Sequence, residues 1–157
     1  MDEYYNLTQI LDITDVIVHG PAVNMINPAV VTTGQIMTGG SDAEAYEGCL
    51  VKVDNITVAD ADLGNGEWSV TDGTYALRVD DIWDYYYFPD SGQALAGVAG
   101  VMTYTYSNTK LEPRLARDVV EADGTPVRLQ RIQQVLHSDL IKAVSYTHLT
   151  LPTNREV

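Results

Sequence analysis

From residue 49 to residue 121 the chain alternates apolar and polar positions with the period of a β-strand, and turn-forming clusters interrupt the alternation. In residues 49–60, Val51 and Val53 share one face and Lys52 and Asp54 the other. Past Asp54 and Asn55 the phase slips, and Ile56 and Val58 become the apolar positions; a β-bulge there accounts for the slip. Residues 60–67, DADLGNGE, predict a turn-rich loop. Residues 66–81 predict a hairpin. Trp68 and Val70 point one way, Asp72 and Gly73 start the turn, and Tyr75, Leu77 and Val79 alternate on the return. The clearest strand is 95–108. It has Val98, Met102, Tyr104 and Tyr106 on one face, with Gly97 and Gly100 where a closing sheet bends sharply. Residues 110–114, ended by Pro113, predict a loop, and 116–122 a short last strand. The expected fold is all-β: a five-stranded barrel whose long, bent first strand lets the sheet close on itself.

The flanks follow other patterns. Residues 21–43, with Pro21, Asn27-Pro28 and Gly39-Gly40, predict a linker in which 30–36 is an extended segment packed on the next unit. Residues 41–48 predict one short helical turn, capped by Ser41 or Asp42 with Glu44 in its first turn, or else a tight lead-in to the first strand. The aromatic run from Trp83 to Phe88, stopped by Pro89, predicts an irregular connection over one end of the barrel. After Pro126, Leu129, Ile132, Leu136 and Leu140 recur at helical spacing, so 124–144 is expected to be a short C-terminal helical segment or the start of a further unit. Near the N-terminus an internal repeat emerges. Tyr5, Thr8 and Ile10 match Tyr106, Thr109 and Leu111; after a two-residue insertion, Asp15-Val16-Ile17 match Asp118-Val119-Val120. Residues 1–20 are therefore expected to be the end of a preceding unit, and 44–123 a complete one.

Composition narrows the function. The net charge of −13 counts against phosphate binding as the main role of this domain. Ten Tyr against one Phe suit half-buried pleated surfaces, with the ring packed and the hydroxyl wet. The lone Cys49 excludes an intrachain disulfide and is expected to be a small buried residue. No apolar run approaches a transmembrane length, so membrane insertion is not expected.

The order strand, bent hairpin, aromatic connection, strand, loop, short strand is similar to an oligonucleotide/oligosaccharide-binding (OB) barrel. More specifically, TQILDITDVIV (8–18), PAVVTTGQI (28–36), EAYEGCLVKVDNITV (44–58) and KLEPR followed by DVV (110–120) resemble the tandem OB-like modules of large secreted bacterial proteins. Several of those are extracellular nucleases with a separate endonuclease/exonuclease/phosphatase-type domain. The resemblance spans roughly residues 3–120 and implies fold and an extracellular or cell-surface setting. It implies no activity for this stretch, because the nuclease domain's acidic metal ligands and paired histidines are absent from it. Residues 145–157, SYTHLTLPTNREV, resemble the translated read-through of a sequencing adapter, which marks them as a non-native tail and removes His148 from any site.

Three sites are candidates. Single-stranded nucleic acid would lie across the second and third strands, with Trp68 and Tyr75 as stacking platforms and Arg78, Lys110 and Arg114 as cations. Against this stand the acidic residues at the barrel mouth, and packing is the competing role for the aromatics. Asp60, Asp62 and Glu67 supply hard oxygen donors for Ca²⁺, in a spacing that matches no EF-hand; a solvated acidic loop is the alternative, and no other cofactor is expected. The aromatic run Trp83, Tyr85, Tyr86, Tyr87 and Phe88 suits sugar or protein contacts, or packing on an adjacent module. Catalysis is not expected: His19 and His137 have no partner at a recognised spacing, and the cluster Asp80, Asp81 and Asp84, which could supply an acid and base pair, reads more simply as a solvated turn. The sequence thus predicts a non-catalytic accessory module that binds nucleic acid for an associated nuclease, or else a structural and interaction module. Its expected partners are adjacent modules of the same chain.

Overall fold

The computed structural model describes residues 2–20, 26–83 and 87–127. The helical pattern of 129–140, the tail 145–157, His137, and Asp84, Tyr85 and Tyr86 lie outside them. The fold is all-β. A small hairpin, β1 (Asp2–Tyr4) and β2 (Leu7–Gln9), precedes a seven-stranded sheet. The sheet contains β3 (Ala29–Val30), β4 (Leu50–Gly64), β5 (Glu67–Thr71), β6 (Ala76–Val79), β7 (Ala94–Thr105), β8 (Asn108–Glu112) and β9 (Val119–Glu121). Among the described residues one four-residue α-helix, α1 (Thr33–Ile36), follows β3.

Five of these strands form a ring in the order β4-β5-β6-β8-β7, and β7 pairs back onto β4. Closure depends on two long strands that each serve two neighbours. Residues 50–57 of β4 pair with β7, and residues 57–64 pair with β5. Residues 94–101 of β7 pair with β4, and residues 101–105 pair with β8. Of the two remaining ring contacts, β5 on β6 is antiparallel and β6 on β8 is parallel. Outside the ring, β3 lies parallel to β4 and β9 antiparallel to β7.

The phase slip expected at Asp54-Asn55 is real, with Val51 and Val53 buried before it and Ile56 and Val58 after it. Its cause is Asn55, held at φ 53° in the left-handed region that Asn tolerates better than most residues. Register with β7 is unbroken across the site; the register shifts of β4 occur further on, against β5. Inside the ring sits one apolar core in which nine side chains are valine, a β-branched residue that suits a pleated surface. Full burial of each such side chain is worth about 1.5–3 kcal/mol.

Several expectations are corrected. Lys110 is not in a loop: residues 108–112 form β8, the strand that completes the ring, entered by a two-residue turn at Tyr106 and Ser107. The segment expected as the last barrel strand, 116–122, is a 3₁₀ turn (Ala116–Asp118) followed by the edge strand β9. The acidic loop 60–67 is mostly strand, because β4 runs on to Gly64 and turns only at Asn65-Gly66, both at positive φ as a tight hairpin requires. The extended reading of 30–36 ends at Thr32, itself extended, where Thr32 and Gln35 form a reciprocal capping box that starts α1. The turn at 44–46 forms, but with Ala43 at its N-cap and no side-chain cap; Asp42 instead accepts from Gln35 Nε2. Cys49 is exposed rather than buried, because it precedes β4 and only its backbone is engaged, with Tyr46 and Met102.

Candidate functional site

The face of β5, β6 and β8 that a strand-binding barrel would offer carries a compact ion network. The registers place Ser69 beside Arg78 and Arg78 beside Lys110, one row across three strands. Leu77, Val79 and Leu111 point into the core, so strand alternation sends Arg78 and Lys110 to the other face. Lys110 is nevertheless only 2% exposed. Its Nζ donates to Glu67 Oε1 at 2.6 Å and to Asp80 Oδ2 at 2.8 Å, and it lies 5.7 Å from the centre of the Tyr106 ring. The other oxygen of Glu67 accepts from Arg78 Nη1. Burial alone would lower the lysine's pKa; the hydrogen bonds and charges of Asp80 and Glu67 outweigh it and hold the pKa above the ordinary value.

Beside this network Glu112 is fully buried, accepting from Thr103 Oγ1 at 2.8 Å and from the Ile82 amide at 3.3 Å. Burial pushes its pKa up and the neighbouring Asp80 charge adds to the rise, against the opposing hydrogen bond from Thr103. Arg114 donates to both carboxylate oxygens of Asp118 through Nε and Nη2, a two-pronged pair that folds the loop after β8 back on itself. On the core side Trp68 meets Tyr87 edge-to-face, ring centres 5.5 Å apart. The Tyr87 hydroxyl accepts from Gln93 Nε2 and faces Glu121; burial, then the charge of Glu121, push its pKa up to about 12.

The structure therefore disperses the residues expected to bind nucleic acid. Trp68 is in the core. Arg78 and Lys110 share a carboxylate in the ion network, and Arg114 is tied to Asp118. Tyr75 alone of the aromatic pair is open to solvent, 57% exposed, and it lies just before β6 with its ring against Gly34. Four of the five basic residues among those described are ion-paired: Lys52, Arg78, Lys110 and Arg114. In the acidic segment Asp60 accepts from the Asp62 amide and Asp62 from the Gly64 amide, while Glu67 faces the lysine. Among the described residues no three His, Cys, Asp or Glu side chains converge as a metal site requires. Of the aromatic run, Tyr87 is buried, whereas Trp83 and Phe88 are exposed.

Sequence reasoning missed the network because its members are remote in the chain. The only local signal is the strand alternation that puts Arg78 and Lys110 on one face, and it needs the β6–β8 pairing to become a contact. It also missed a groove of about 640 Å³ between the β1–β2 hairpin and the β7–β8 turn, lined by Tyr4, Tyr5, Tyr104 and Tyr106. No family model matches the chain, and no curated protein matches it.

Proposed function

We propose that this chain is a non-catalytic OB-like module of a tandem array in a secreted bacterial protein, acting as a structural and interaction unit between neighbouring modules. The five-stranded ring supports the OB-like part of this reading. Its strands are ordered first, second, third, fifth, fourth and back to first, with the third and fifth parallel, as a Greek-key barrel of that kind needs. The secreted setting, and an associated nuclease elsewhere in such a protein, rest on the resemblance of 8–18, 28–36, 44–58 and 110–120.

One observation carries the choice of a structural role over nucleic-acid binding. The cations of the β5–β6–β8 face are already neutralised by Glu67 and Asp80, and its tryptophan is turned inward. Free Lys and Arg gain affinity for a phosphate backbone by displacing the counterions condensed on it, and paired side chains in a chain of charge −13 have little to offer it. Fluorescence anisotropy with a labelled single-stranded oligonucleotide at low salt tests the choice. No change in anisotropy is expected. Saturable binding that weakens with salt and is lost in Tyr75→Ala would replace the structural role with the nucleic-acid one.

A further inference from the structure

The N-terminal hairpin is a second copy of the ring's closing hairpin. In β1–β2 the facing pairs are Asp2–Gln9, Glu3–Thr8 and Tyr4–Leu7; in β7–β8 they are Thr103–Lys110, Tyr104–Thr109 and Thr105–Asn108. All three correspond at one offset, 103 − 2 = 101 positions for the first residue of each set. The turns agree as well. Tyr5 and Asn6 have φ 50° and 64°, and Tyr106 and Ser107 have φ 50° and 63°. A two-residue hairpin turn with both residues left-handed normally takes Asn-Gly or Asp-Gly, so a tyrosine in its first position twice is a specific signature. The apolar positions that follow also correspond, yet their surroundings differ. Leu111 in the ring and Val119 on the edge strand beside it are fully buried, whereas their counterparts Ile10 and Val16 are 72% and 74% exposed.

We infer that residues 2–20 are the closing segment of an upstream ring of this same architecture, β1–β2 completing its circle and the stretch around Val16 forming its edge strand. The occupant of this apolar face is a sheet that lacks a fifth strand, because that is what covers the same pattern in the copy whose contacts are visible. The hairpin is also held against the ring described here. The Thr8 amide donates to Glu47 Oε1 at 2.5 Å, and Tyr4, Tyr5, Tyr104 and Tyr106 line one groove between the two hairpin turns. Adjacent rings would thus be joined through the hairpin that closes the first of them. This inference rests on the tandem-module reading and deepens it by naming the contact.

Two extended forms of the full chain test it. In the first, a second copy of residues 26–102 is placed directly before Asp2, so that only residues 2–20 can close the added ring; Gln9→Lys restores the ammonium that Glu67 and Asp80 of the added copy require. The expected result is the sheet signal of two rings and amide exchange at Ile10 and Val16 slowed on the order of 100-fold against the unextended chain. Ile10→Asp should abolish that protection and leave the second ring folded. In the second form, residues 26–127 precede Asp2 and bring their own closing hairpin. Two rings in this form but one in the first would overturn the assignment of residues 2–20 and leave the array reading standing. One ring in both would overturn both.

Discussion

Lys110 is an ammonium almost without water, held by hydrogen bonds to the Glu67 and Asp80 carboxylates. Removing one partner of a buried pair leaves the others uncompensated, which typically costs about 3–5 kcal/mol. Lys110→Met, which keeps most of the side-chain volume, is expected to lose stability of that order in urea unfolding. A loss below about 1 kcal/mol, the scale of a surface pair, would show that the network is effectively solvated. The sign of its pH dependence follows from the raised pKa. The lysine's contribution is complete below the ordinary lysine value and is lost as pH rises through the higher folded value. Tyr87 acts in a nearby window. Its phenol stays neutral in the fold up to about pH 12, against 10 when unfolded, so stability falls as pH climbs between the two. Tyr87→Phe should flatten that fall, and the lost hydrogen bonding should cost about 1 kcal/mol at neutral pH, both read from melts across the alkaline range. Glu112 works oppositely to a salt-bridged carboxylate. With its folded pKa raised above the ordinary value of 4.5, acidification through that raised value stabilises the fold. The stability difference between the wild type and Glu112→Gln should therefore shift in favour of the wild type as pH falls from neutral to about 4.5.

At the scale of elements, the two long strands decide whether the ring exists. Strand β7 passes from β4 to β8 around Gly100, where a Cβ would stand 2.6 Å from the backbone of Glu112. Gly100→Ala must therefore push β8 away, and overpacking of this kind costs about 1–3 kcal/mol. Thermal unfolding reads the loss; an unchanged melting temperature would mean that the two strands separate easily there. The alternation in 49–60 and 66–81 and the phase slip at Asn55 were legible because each depends on neighbours in sequence. The Asn65-Gly66 turn was legible in principle, as an Asn-Gly pair between alternating segments, but the surrounding Asp and Gly residues resembled a longer loop. Residues 108–112 were misread because Lys110 and Glu112 look like surface charges next to Pro113. They are strand positions only because Arg78, Glu67 and Thr103 meet them from other strands.

At the scale of the whole molecule, an excess of negative charge acts alongside a few satisfied ion pairs. Self-repulsion at net charge −13 is screened by salt, whereas the buried pairs of Lys110 are screened much less. The melting temperature should therefore rise between very low salt and physiological ionic strength; a fall would mean that half-buried pairs such as Lys52–Asp54 dominate. Chelation with EDTA should leave it unchanged, since Asp60 and Asp62 serve their own turn and Glu67 serves Lys110. Hydrophobic periodicity determined the all-β class and the Val-rich inner faces, because alternation along one strand needs no knowledge of its partner. The repeat of Tyr5 and Tyr106 was also written in the chain, as order and spacing. Only the tertiary structure decided which segment closes the ring, that the candidate cations are neutralised, and that Leu111 and Val119 are buried while Ile10 and Val16 are exposed. Each of those depends on which strands lie side by side, and pairing between segments tens of residues apart leaves no local pattern.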